Sequence, residues 1–127
     1  MGKVAPDAMI DTALAYLAGS DRMIVCSAEP TSYANATGVV DLATVVMIPG
    51  SGNGDFLIGD GDASGRKLTM TAKAGNTIDH TNDATHIALC KVGDTTLRGV
   101  TTCTQQTLTA AGTVDVPSWK WTIADPT

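Results

Sequence analysis

Aromatic side chains are scarce in this chain, with one Phe, two Tyr and two Trp among 127 residues. A core must therefore rest on Val, Ile, Leu, Met and Ala. Basic residues are also few, eight Lys and Arg against thirteen Asp and Glu, for a net charge of −5. They are scattered and form no positive stripe to neutralise phosphates, which argues against nucleic-acid binding. An acidic surface instead keeps a small protein soluble at high concentration. Long apolar runs are missing: no stretch reaches the roughly 18 residues that a membrane span needs. Asp7 and Asp11 interrupt the opening "MGKVAPDAMIDTALAYLAG", so it does not read as a secretory signal. Pro6 stands where a myristoylation start needs Ser or Thr. Neither nucleic acid nor membrane is expected as a partner.

Cysteine is limited to Cys26, Cys90 and Cys103. An odd number without a close pairing motif indicates reduced thiols in a cytoplasmic fold rather than a disulfide framework. Cys90 and Cys103 flank a hairpin, so a bond between those two is the one pairing to consider.

What is present is glycine, 13 residues, and threonine, about one residue in seven. Both favour strands joined by tight turns. The expectation is one domain over 1–127, mainly β: an antiparallel β-sandwich or small barrel with one N-terminal α-helix. Residues 1–5 form an arm, 6–18 the helix and 22–124 the strands. Ile10, Ala13, Leu14 and Leu17 fall at i, i+3, i+4 and i+7, and Met9 and Tyr16 widen that stripe. Pro6 suits the first turn, Asp7 and Asp11 its positive end, and Gly19 the stop.

The apolar run "RMIVCS" (22–27) reads as a buried strand, "AEPTSYANATG" as a loop and "LATVVMI" (42–48) as another strand. Pro49 and the flexible "GSGNG" end it. In "RKLTMTAK" (66–73) Leu68, Met70 and Ala72 face one way, and Lys67, Thr69 and Thr71 the other. Gly93-Asp94 fits a two-residue type II′ turn between strands at 85–92 and 95–103. A second turn at Ala111-Gly112 precedes Val114 and Val116. In the last strand, "WKWTI" (119–123), Trp119, Trp121 and Ile123 share a side, as core or subunit-interface residues. The C-terminal half thus reads as a four-strand meander.

Few residues are arranged for chemistry. "DGDASG" (60–65) opens like a calcium loop, with Asp60, Asp62 and Ser64 alternating, but Thr71 stands where a bidentate carboxylate is needed. A turn whose carboxylates bind backbone N–H groups is the simpler reading. His80 and His86 match no zinc spacing. No G-x-S-x-G elbow exists, and Cys90 and Cys103 beside His86 lack an activating niche. "GSGNG" lacks the lysine and following helix of a phosphate cradle. The expectation is a non-enzymatic protein with no cofactor, no metal and no catalytic residue.

The segment "ATHIALCKVGDTTLRGVTTCTQQTLTAAGTVDVPSWKWTIADP" resembles the ending of small proteins encoded among the virion-assembly genes of tailed bacteriophages. The likeness rests on "A-x-H-x-A-L", a short turn, a threonine-rich strand, "T-x-x-G-T-V" and a final "I-x-D-P". The opening "MIDTALAYLA…CSAEPTSYANATG" is similar to their first helix, strand and loop. The resemblance implies a virion structural protein assembled in the bacterial host cytoplasm. Capsid decoration (cement) is the first choice, with the major capsid protein as partner and self-association as a homo-oligomer. A neck or tail component is the alternative within that class, and a carbohydrate- or ligand-binding β-sandwich the alternative outside it.

Contact residues are then sought where apolar side chains stand in polar surroundings. These are Val4 in the arm, Tyr33 in the first loop, and Phe56, Leu57 and Ile58 within the segment 49–65. For that triplet two readings stay open, an anchor for a partner or a short strand turned into the core.

Overall fold

The computed structural model describes residues 7–124. Val4 and the expected arm lie outside the described residues. In chain order the elements are α1 (Asp7–Ala18), β1 (Arg22–Cys26), α2 (Tyr33–Gly38), β2 (Asp41–Val46), β3 (Phe56–Asp60), β4 (Arg66–Met70), β5 (Lys73–Thr77), β6 (Asn82–Lys91), β7 (Thr96–Leu108), β8 (Thr113–Val116) and β9 (Trp119–Ile123). All strand pairing between them is antiparallel. The fold is mainly β with an N-terminal helix, as composition and turn signals indicate.

A four-stranded sheet runs in the order β2-β1-β6-β7 and a three-stranded sheet in the order β3-β4-β9, with β5 and β8 forming a separate pair. Met23, Val25, Val45 and Leu89 of the larger sheet meet Phe56, Leu68 and Met70 of the smaller one in a single core. Helix α1 adds Ile10, Leu14 and Leu17 to it, while Trp119, Trp121 and Ile123 pack against its margin. The Trp119 Nε1–H points at Met23 Sδ, 3.4 Å away, tying β9 to β1 across the sandwich.

After Arg22 the run "MIVC" is apolar throughout because both faces of β1 are covered. Its other face carries Ile24 and Cys26, which join Ala36, Ala88 and Cys90 in a second cluster beneath α2. Helix α2 occupies the segment expected as a loop. Ser32 caps it, accepting from the Asn35 N–H at 3.1 Å, and Asn35 Oδ1 accepts from the Thr31 N–H at 3.2 Å. That reciprocal pair satisfies donors a short helix otherwise leaves bare. Ser-x-x-Asn ahead of small residues was its signal.

The α1 stripe is narrower than expected. Ile10, Leu14 and Leu17 are buried, but Met9, Ala13 and Tyr16 face outward. Only one side of the helix meets the sandwich. The Arg98 guanidinium closes its C-terminal end, lying 4.3 Å from the Tyr16 ring centroid and donating to the Tyr16 carbonyl at 2.7 Å. A cation there complements the negative end of the helix dipole, which has no basic residue in its own last turn.

Two topological expectations are corrected. The C-terminal half is no four-strand meander: β6 pairs with β7, but β8 pairs with β5 and β9 with β4. After Leu108 the turn docks on Ile78, whose carbonyl accepts from the Ala111 N–H and whose N–H donates to the Gly112 carbonyl, both at 2.9 Å. Those bonds steer the chain to β5. The hairpin tip is not type II′ either, since the positive φ sits at Thr95 (49°) rather than Gly93. A bulge between the pairs Leu89↔Gly99 and Cys90↔Leu97 leaves Arg98 unmatched. Arg98 reaches back to Asp94 Oδ2 at 3.0 Å and holds the tip.

Candidate functional site

The triplet read two ways divides residue by residue. It forms the start of β3, paired with β4 as Phe56↔Met70, Leu57↔Thr69 and Ile58↔Leu68. Alternation sends Phe56 into the core at 2 % exposure and leaves Leu57 at 60 %. Phe56 therefore offers no surface to a partner, and Ile58 packs on the core margin. Tyr33 is likewise half-buried, on α2 against the second cluster rather than on a loop. Of the four described interface candidates, Leu57 is the one that projects.

The structure adds outward groups that sequence reasoning placed inside. Met9 is 60 % exposed and Tyr16 52 %. They stand seven residues apart on α1, with Thr12 and Ala13 exposed between them, so one long side of the helix shows no charge after Asp11. Val46 and Ile48 project from β2 and its continuation. Exposed apolar groups on rigid elements can be buried by a partner with little loss of conformational freedom.

A cleft of about 510 Å³ opens beside β7. Thr101 to Thr104 and Gln106 line one side, and Val114 to Pro117 with Trp119 and Lys120 the other, over a floor of Val25, Ala84 and Ile87. It lies where β7 and β9, the outer strands of their sheets, fail to meet.

The acidic turn at 60–65 is taken up internally. Asp62 accepts from Lys67 Nζ at 2.7 Å and also from Lys120 Nζ. Arg66 bridges Asp11 at 2.8 Å and Asp60 at 2.7 Å. Those bonds push the Asp62 carboxyl down to about 2, Lys120 contributing most and Lys67 next. The carboxylates expected on backbone N–H groups instead bind side-chain cations. Among the described residues no group of three His, Cys, Asp or Glu side chains assembles as metal ligands. His80 Nε2 lies 3.7 Å from Asp41 Oδ2.

The thiols are free. Cys90 belongs to the cluster under α2 and Cys103 packs against the main core, so they lie on opposite faces of the sheet. A Cys90–Cys103 bond is thereby ruled out. Burial pushes the Cys26 thiol up to about 12 and the Cys90 thiol up to about 11, and raises Cys103 as well. All stay protonated at neutral pH, whereas a nucleophilic cysteine is a thiolate. His86 sits opposite Cys26 on one side and Thr102 on the other, its Nδ1 2.8 Å from the Thr85 hydroxyl.

Among the described residues, the one buried charge-bearing side chain is Asp55, at the mouth of the β2–β3 connection. Its Oδ2 accepts from the Ile48 N–H at 2.7 Å, and its Oδ1 lies 2.8 Å from Lys73 Nζ. Burial favours the neutral acid, but the bonds from Lys73 and Ile48 outweigh it and lower the carboxyl from its ordinary 3.8. The pair therefore stabilises the fold fully above 3.8, and this is lost as pH falls through the lowered folded value. Urea midpoints measured down that acid limb should fall more steeply for the native chain than for Asp55→Asn. Equal slopes would show that Asp55 is not ion-paired.

Comparison with protein-family models, curated proteins and solved structures finds no match for this chain.

Proposed function

We propose that this chain is a non-enzymatic structural protein of a tailed-phage virion, a decoration protein that binds the major capsid protein on the head and braces neighbouring capsomers. The class comes from the resemblance of residues 84–126 and of the opening helix and strand. The observation that carries a binding role is the uncharged outer side of α1, with Met9 and Tyr16 exposed on a small acidic domain. Grouped on one face of a rigid helix, such side chains offer a partner an apolar docking anchor. Leu57 is a second such group, supported from behind by Phe56.

Cement work needs many copies that stay soluble until they dock. A net charge of −5 serves the first requirement and the apolar groups the second. Heads stripped of the protein should rebind it and regain resistance to heat and osmotic stress. Met9→Asp places a carboxylate on the helix face, where the N-terminal half tolerates it. It should weaken rebinding by about tenfold or more with no loss of fold. If the native chain fails to associate with heads but is recovered in a few copies from the neck or tail, the virion class stands and its location changes. Recovery from no part of the particle would refute the class.

A further inference from the structure

We infer that Asn53 is a self-modification site, at which the folded chain converts its own side-chain amide to a carboxylate with water as co-reactant. The product unfastens the connection 49–55. This inference concerns the isolated protein and does not rest on the virion reading.

The pair Asn53-Gly54 lies between β2 and β3. Asparagine is a chemically labile side chain, and its Cγ can close a five-membered ring with the backbone nitrogen of the next residue. Attack within such a ring has a large entropic advantage over attack by free water. A following glycine leaves the approach unobstructed, and here the fold keeps it so. Gly54 has a φ of +119°, which only glycine adopts without strain, and nothing lies within 4 Å of where a Cβ would stand. Its N–H donates no hydrogen bond among the described residues, so the attacking nitrogen is uncommitted. Asn53 itself is exposed and held by one bond, from Nδ2 to the Pro49 carbonyl at 2.9 Å. Solvent-exposed bonds of that kind open locally without unfolding the domain.

The Gly54 nitrogen gives its proton to hydroxide and attacks Asn53 Cγ. The Cγ–Nδ2 bond then breaks, and ammonia leaves with a proton taken from water. The cyclic imide takes up one water. Opening at Cγ gives aspartate, and opening at the main-chain carbonyl gives isoaspartate, whose backbone runs through the former side chain. Nothing is oxidised or reduced. A carboxylate cannot donate to the Pro49 carbonyl and repels it. Isoaspartate also adds an atom to the main chain just before Asp55, whose Oδ2 is fixed by the Ile48 N–H.

The other three asparagines are guarded. Asn35 precedes Ala36, whose N–H is committed to the Ser32 carbonyl at 2.9 Å. Asn76 sits in β5 with its Nδ2 on the Lys73 and Val114 carbonyls, at 2.8 and 3.0 Å. Asn82 precedes Asp83, whose side chain is pinned by Gln105 and Thr107 of β7. Asp60-Gly61 is the acid counterpart of the reactive pair, but its Gly61 N–H donates to the Gly65 carbonyl at 3.0 Å.

The test ages the full chain in neutral and mildly alkaline buffer, folded and in urea, and maps its peptides by mass spectrometry. Acid should accumulate at Asn53, part of it as isoaspartate detected by enzymatic methyl transfer, while Asn35, Asn76 and Asn82 keep their amides. The folded rate should lie within about tenfold of the rate in urea and rise with pH, because the attacking nitrogen must lose its proton. Asn53→Gln, whose longer side chain closes a slower ring, should form no acid there over the same period. Asn53→Asp should melt below the native chain, as the aged protein does. An Asn53 amide that survives in the folded chain, or converts there far more slowly than in urea, overturns the proposal. So does equal conversion at the other three asparagines. A native melting temperature for Asn53→Asp and for aged protein overturns the unfastening. None of these readouts involves head binding, so its failure leaves them standing.

Discussion

Phe56→Ala should lower the free energy of unfolding by about 3 to 5 kcal/mol, whereas Leu57→Ala, one position on, should change it by no more than about 0.5 kcal/mol. The difference comes from the pleat. Phe56 is the largest of the fully buried side chains and joins Leu68, Met70 and Met23 where the two sheets meet. Its removal leaves a cavity in a core that has no other phenylalanine to reposition. Leu57 faces water across from Thr69 and leaves nothing behind when truncated. Urea unfolding of both variants with an unchanged denaturant slope checks the contrast. Comparable losses in the two would mean that β3 is rotated or shifted by one residue, because a one-residue slip exchanges the faces. The same pair bears on function, since Leu57→Asp can weaken docking without weakening the fold.

The second large effect is expected at Gly65, which ends the 60–65 turn. Its φ is +67°, and a Cβ there would run into the Ile123 carbonyl oxygen and lie 2.8 Å from the Ala124 Cα. Both obstacles are backbone, so neither can rotate aside. Gly65→Ala must carry a left-handed alanine and also push β9 away from β4, for a combined cost of about 3 to 5 kcal/mol. Gly75 supplies the control, with φ at +69° but nothing within 4 Å of the added atom. Gly75→Ala should therefore cost about 1 to 2 kcal/mol, the conformational part alone. Thermal melts of the two variants side by side separate the terms. Equal losses would show that β9 does not press on the turn.

Part of the site was legible in the residues and part was not. The core half of the "FLI" triplet lay within reach, because Phe56 and Ile58 alternate with Leu57 at the period of a strand. The polar neighbours on both sides hid that pattern. Tyr33 looked like a loop residue because a six-residue helix has too few turns to show a 3.6 period. Its Ser32–Asn35 cap was the only local mark. The outward turn of Met9 and Tyr16 had no local mark at all. Apolar residues cover more than half of that helix, and which of them are buried depends on how wide a surface the sheets offer it.

Chain pattern alone sufficed for the elements whose signal is local. The α1 span, the alternation in β4 and β9, the doubly apolar β1 and the punctuation by glycine and proline all follow from periodicity and backbone preference. Pairing was a different matter. Every strand edge carries the same donors and acceptors, so nothing within β8 or β9 distinguishes β7 from β5 or β4 as a neighbour. That choice was made by bonds between distant residues, Ile78 with Ala111 and Gly112, and Ser118 Oγ with the Met70 carbonyl at 2.8 Å. The same choice drew β8 and β9 away and left one side of β7 open.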